Sequence, residues 1–220
     1  MANSLLYIGF KQRLLDLESH LLPAISPTLT YTAKDEDLTR AYCLLCHAEI
    51  EAYIESIVLA TATQAYNKWS TDKTKVSQII FHLAYSYKQV ANKPKEPPYS
   101  MVSLTFSQLQ KSITSNNGIK EDNLNLILKP IGFEIDPPLA LLLTNFGKTR
   151  GTIAHTSIST QQPLDPATEK NNVTQILTAL KSFDEDLVDY EANGIINTTP
   201  VNMAWDSLTF WQRLKYLFTG

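Results

Sequence analysis

A chain of 220 residues, 44% hydrophobic and 19% charged, has an ordinary globular composition, and its length suits one large domain or two small ones. A formal net charge of −3 excludes the broad basic field of a nonspecific nucleic-acid binder, but not an enzyme with a small local basic site. Seven glycines and few sustained β-branched runs argue against an all-β fold.

Residues 4–10 are apolar, but Lys11, Arg13 and Asp16 follow too soon for an export signal, and no apolar run approaches membrane-spanning length. A cytoplasmic protein with no membrane partner is expected. Cys43 and Cys46 are too close to close a stabilising loop and read as reduced thiols.

In chain order, residues 4–22 read as a helix stopped by Pro23, followed by a turn-rich connection at 23–33. Residues 35–68 carry the strongest helical signal. Asp35, Glu36 and Asp37 suit a helix start, and no Gly or Pro interrupts from Asp35 to Trp69. Leu38, Tyr42, Leu45, Cys46, Ile50, Tyr53, Ile54 and Ile57 form one broad apolar face, which makes this helix the pillar of a bundle. On that wheel Glu49 lies inside the apolar face and needs a partner, whereas Glu51 falls on the polar side.

Residues 74–90 form a further helix, with His82 read as structural. The segment 92–100, NKPKEPPYS, is a Pro-rich break. Short helices follow at 103–113 and 121–130, separated by an SNNG turn. Asp136 and Pro137 start the next helix, which runs into TRGTIAH. Asp165 caps a helix that continues to Gly194, and residues 204–218 form a last amphipathic helix with an aromatic face. That face suits packing on the bundle or on a second subunit better than lying on a membrane. The expected fold is an all-α antiparallel bundle of roughly seven helices, with one domain over 1–195 and the C-terminal helix in 196–220 packed on the bundle or dimer.

The sequence Cys43-Leu44-Leu45-Cys46-His47 matches a haem-attachment pattern, but it lies inside a continuous helix with no export signal. No second cluster completes a zinc site. No cofactor or metal is expected. Gly-rich phosphate loops, nucleophile elbows and H-E-x-x-H are absent, which weakens nucleotide-fold, α/β-hydrolase and zinc-protease readings.

What remains is Arg150 and His155 in the spacing R-x4-H, in a chain with only four arginines and four histidines. Arginine offers a planar fork of donors for phosphate oxygens, and histidine suits proton transfer near neutral pH. Together they suffice to cleave RNA without metal, because the ribose 2′-OH is the nucleophile. On a straight helix Lys148, Thr152 and His155 share a face, and Arg150 points about 140° from His155. Either Gly151 relaxes the backbone, or two copies meet across a two-fold axis and line one cleft.

The long helix with its HAEIEAYIE segment, together with TRGTIAHTS, resembles the HEPN superfamily, and within it proteins of the RiboL-PSP group. The resemblance covers roughly residues 35–190 and implies an all-helical domain with R-x4-6-H near the start of a late helix. It implies a metal-independent endoribonuclease acting as a homodimer in toxin–antitoxin, phage-defence or RNA-processing settings. Arg150 and His155 would be catalytic, and an acidic residue of the long helix, Glu51 or Glu49, would support them. Lys148 and Thr152 are candidates for RNA phosphate contacts, and an antitoxin or other regulatory protein is a possible partner. Many members carry Asn after the Arg where this chain has Gly151. The alternative is a catalytically inactive HEPN-like module that binds RNA or a partner protein.

Overall fold

A computed structural model describes residues 3–71, 75–90, 98–155, 163–196 and 199–200. Among these residues the architecture is all-α, with seven helices: α1 (Leu5–Leu21), α2 (Ala33–Thr71), α3 (Gln78–Val90), α4 (Pro98–Thr114), α5 (Glu121–Leu128), α6 (Pro137–His155) and α7 (Pro166–Ile196). The extended structure described is one two-residue antiparallel pair, Lys75–Val76 with Thr199–Pro200. The helix expected at 204–218 lies outside the described residues.

The helix starts follow local chemistry. The Ser4 hydroxyl accepts the Tyr7 N–H and caps α1. Thr32 and Asp35 satisfy each other reciprocally at the start of α2, the Thr32 hydroxyl accepting the Asp35 N–H and the Asp35 carboxylate accepting the Thr32 N–H. The Asp165 carboxylate accepts the N–H groups of Ala167 and Thr168 at the start of α7. Two boundaries differ from expectation. The helix expected from 74 begins at Gln78, and α4 begins at Pro98, inside the segment read as a break. Proline at the first helical position loses no hydrogen bond, so a Pro-rich stretch ends where a helix can begin.

The chain packs into two compact units. The first joins residues 1–56, 117–124 and 135–186, so it holds α1, the first part of α2, α6 and most of α7. Its core includes Phe10, Leu14, Tyr42, Ile50, Leu143, Phe146, Ile176 and Leu180. Phe10 stacks on Tyr53 at 4.5 Å, and the Tyr7 hydroxyl donates to the Leu177 carbonyl at 3.0 Å, tying α1 to α2 and α7. Cys43 and Cys46 are free, buried thiols on α2, and burial pushes both up, Cys46 to about 12.

Among the described residues, the second unit joins those within 57–116, 125–134 and 187–200. Its core includes Val58, Ile79, Leu83, Val102, Leu109 and Ile131, and Tyr66 stacks on Phe106 at 4.4 Å. His82 packs its ring against Gly132 here, and burial holds its imidazole below the ordinary range. No helix among the described residues is long and apolar enough to cross a membrane.

Candidate functional site

The site is built in the first unit, along the seam between α2 and α6. The buried side of α2 runs through Tyr42, Cys43, Cys46, His47, Ile50, Tyr53 and Ile54, while Leu45 is 42% exposed. The buried face is therefore rotated away from Leu45, which lies at one edge of the expected face, and Glu49 and Glu51 sit on opposite flanks of Ile50.

Different neighbours claim the two carboxylates. Glu49 pairs with Arg13 of α1 at 3.0 Å, in a partly exposed bridge of the kind that contributes about 0–1 kcal/mol. Glu51 is the more enclosed of the two, its side chain 19% exposed against 33% for Glu49. This corrects the wheel reading, which put Glu49 inside and Glu51 on the polar side. Glu51 accepts a short hydrogen bond from the Gly118 N–H. Gly118 belongs to the SNNG turn and has a φ of +134°, a conformation that side-chain-bearing residues rarely adopt. The turn read from sequence as a spacer thus aims a backbone donor at Glu51.

On α6, Phe146 and Gly147 face inward, and Arg150 is exposed one turn later. The Arg150 guanidinium acts on both Glu51 and His47. Burial raises the Glu51 carboxyl above its ordinary range. The Gly118 N–H opposes that rise, Glu55 adds to it, and Arg150 pulls it back down. His47, one turn before Glu51 on α2, is pushed down to about 4, first by burial and then by Arg150. At neutral pH it is an uncharged imidazole, with Nδ1 3.8 Å from Glu51 Oε2.

The imidazole of His47 lies against Phe146 with ring centroids 6.4 Å apart and planes 24° from parallel. A Cβ on Gly147 would stand 3.9 Å from His47 Nε2 and 3.3 Å from Lys120 Cγ, so the loop after Gly118 covers this point of α6 closely. His47 and Lys120 were missed by sequence reasoning. The i, i+4 spacing of His47 and Glu51 was the available signal for His47, while only the tertiary path of the loop reveals Lys120.

Helix α6 continues without interruption through Gly151 to His155. The motif therefore lies in the last described turns of α6, well after the start of that helix. A Cβ on Gly151 would meet nothing within 4 Å, so packing does not demand glycine there. Of the two alternatives, relaxation of the backbone at Gly151 is not seen, and within one helix Arg150 and His155 point about 140° apart. Lys148, Thr152 and His155 are all exposed. Thr152 donates its hydroxyl to the Lys148 carbonyl at 3.2 Å, a bond it must release before donating to a ligand.

One chain thus places Arg150, Glu51 and His47 together and presents His155, Lys148 and Thr152 on another side of α6. A second copy turned about a two-fold axis can set its outward imidazole against the first copy's guanidinium. Among the described residues no group of three or more His, Cys, Asp or Glu is placed to hold a metal ion.

No curated protein and no solved structure matches the chain significantly. The sequence pattern of the RiboL-PSP-HEPN family matches residues 10–189, from within α1 to within α7. The chain belongs to the RiboL-PSP-HEPN family.

Proposed function

We propose that the protein is a metal-independent endoribonuclease whose site is completed by a second copy of the chain, with a toxin or phage-defence role and an antitoxin-like regulator as its setting. The observation that carries this reading is the Arg150 guanidinium, exposed on α6 and acting on the enclosed Glu51 carboxylate. An arginine oriented by a carboxylate is preorganised to meet charge that builds up on a phosphate.

In the proposed reaction His155 takes the proton from a ribose 2′-OH as the 2′-oxygen attacks phosphorus. The P–O5′ bond breaks, the imidazolium so formed returns the proton, directly or through water, to the leaving 5′-oxygen, and the products are a 2′,3′-cyclic phosphate and a 5′-hydroxyl. Arg150 stabilises the charge on the phosphorane, and Glu51 orients Arg150. Lys148 and Thr152 contact flanking phosphates. Glu49, neutralised by Arg13, takes no part. Residues 1–195 act as one domain in this reading, in the cytoplasm, with no cofactor.

Purified protein incubated with mixed RNA in excess chelator should give fragments with 2′,3′-cyclic ends. His155→Ala should lose roughly 10²–10⁴-fold in rate without losing thermal stability, because His155 is exposed. Cleavage by His155→Ala at the parental rate would end the assignment. Gly151 after the arginine and the net charge of −3 favour the second reading, an inactive HEPN-like binding module. Intact dimer with no cleavage by the parent protein would select it.

A further inference from the structure

We propose that His47 is a positioning residue for Arg150, wedged between α2 and α6 and acting through Glu51. The inference rests on the reading of Arg150 as the phosphate-binding group and adds a residue that the R-x4-H motif does not contain.

Three observations converge on it. His47 is 3% exposed, among the few buried polar side chains of the first unit. Its ring occupies the step between Phe146 and Gly147, the turn of α6 that leads into Arg150. Its Nδ1 lies 3.8 Å from the Glu51 carboxylate, whose charge the Arg150 guanidinium favours. A buried polar ring is costly unless its nitrogens are used, and an aliphatic residue of similar size would fill the step at lower cost. The imidazole combines bulk, which fixes the spacing of α2 and α6 at this turn, with a nitrogen at the edge of Glu51.

Its neutral state matters to the same geometry. A cationic ring would draw Glu51 toward itself and repel Arg150, pulling apart the pair that meets the phosphate. The charged groups around it are Glu51 on α2 and Arg150 on α6. Glu55 lies beyond Glu51, and the stem of Lys120 crosses Gly147.

The direct test follows the His47 ring nitrogens by NMR, from neutral pH down to about 4, in the parent, Arg150→Gln and Glu51→Gln proteins. Loss of the guanidinium should move the titration to higher pH, and loss of the carboxylate should move it lower. Unchanged titration in both variants would overturn the proposal. In RNA cleavage, His47→Leu should lower kcat roughly 10²-fold with a smaller change in KM, and His47→Gln should recover most of the loss. A Leu variant with a shifted melting temperature but parental kcat would mean that His47 is only packing. If the parent does not cut RNA, the nuclease reading alone fails, and the ring titration still decides whether His47, Glu51 and Arg150 form one unit.

Discussion

Asp184 and Glu51 are both carboxylates drawn from water within the first unit, and their surroundings differ in kind. Asp184 on α7 is 0% exposed and accepts the Ser4 N–H at 2.7 Å, the Ser4 hydroxyl at 2.5 Å and the Tyr53 hydroxyl at 2.8 Å. These fixed donors join the start of α1 to α2 and α7. Glu51 is held by the Gly118 N–H at the rim of a seam and lies in the field of Arg150, a cation that is itself exposed. Burial raises its carboxyl, whereas the donors around Asp184 serve the fold. A carboxylate saturated with donors is a rivet, and one tethered beside an exposed guanidinium is available for chemistry.

Removing each carboxylate should separate the two roles. Asp184→Ala leaves the Ser4 and Tyr53 donors without their acceptor, and lost hydrogen bonds to a buried charge cost on the order of 3 kcal/mol. At about 2–4 °C per kcal/mol for a chain of this size, the melting temperature should fall by roughly 6–12 °C. The protein that remains folded should cut RNA at the parental rate. Loss of activity with unchanged stability would place Asp184 in the site and erase the distinction.

Glu51→Gln should behave in the opposite way. The amide oxygen still accepts from Gly118, while the charge that orients Arg150 is gone, so kcat should fall roughly 10²-fold. The stability effect follows from the raised carboxyl. A carboxyl with a folded pKa above its unfolded value binds its proton more tightly in the folded state. Stability then declines as pH rises through that window. The Gln variant escapes this loss, so at neutral pH it should melt no lower than the parent, and its advantage should shrink once the medium is acid enough to protonate Glu51. A Gln variant that melts well below the parent would make Glu51 a second rivet.

The sequence makes much of the fold legible because helices announce themselves locally. Apolar spacing located α1, α2, α6 and α7, and Asp165 and Pro137 marked two of their starts correctly. The choice between Glu49 and Glu51 was not legible. Both flank Ile50, and what separates them is tertiary, Arg13 on one side and the Gly118 turn with Arg150 on the other. Helical periodicity also cannot centre a face that contains a buried histidine. His47 reads as polar on a wheel, yet it lies in the seam while the apolar Leu45 faces water. Arg150 and His155 could be picked out by type and spacing, but a straight α6 holds them about 140° apart, so the proposed reaction needs a second chain to bring them together.

That dependence can be measured by mixing. Arg150→Ala and His155→Ala proteins, each inactive alone, are combined and allowed to exchange subunits. If the guanidinium of one subunit and the imidazole of the other serve one phosphate, every mixed dimer regains one intact site, and the mixture should recover roughly a quarter of parental cleavage. A mixture no more active than its components, with subunit exchange demonstrated, would contradict a site shared between two chains.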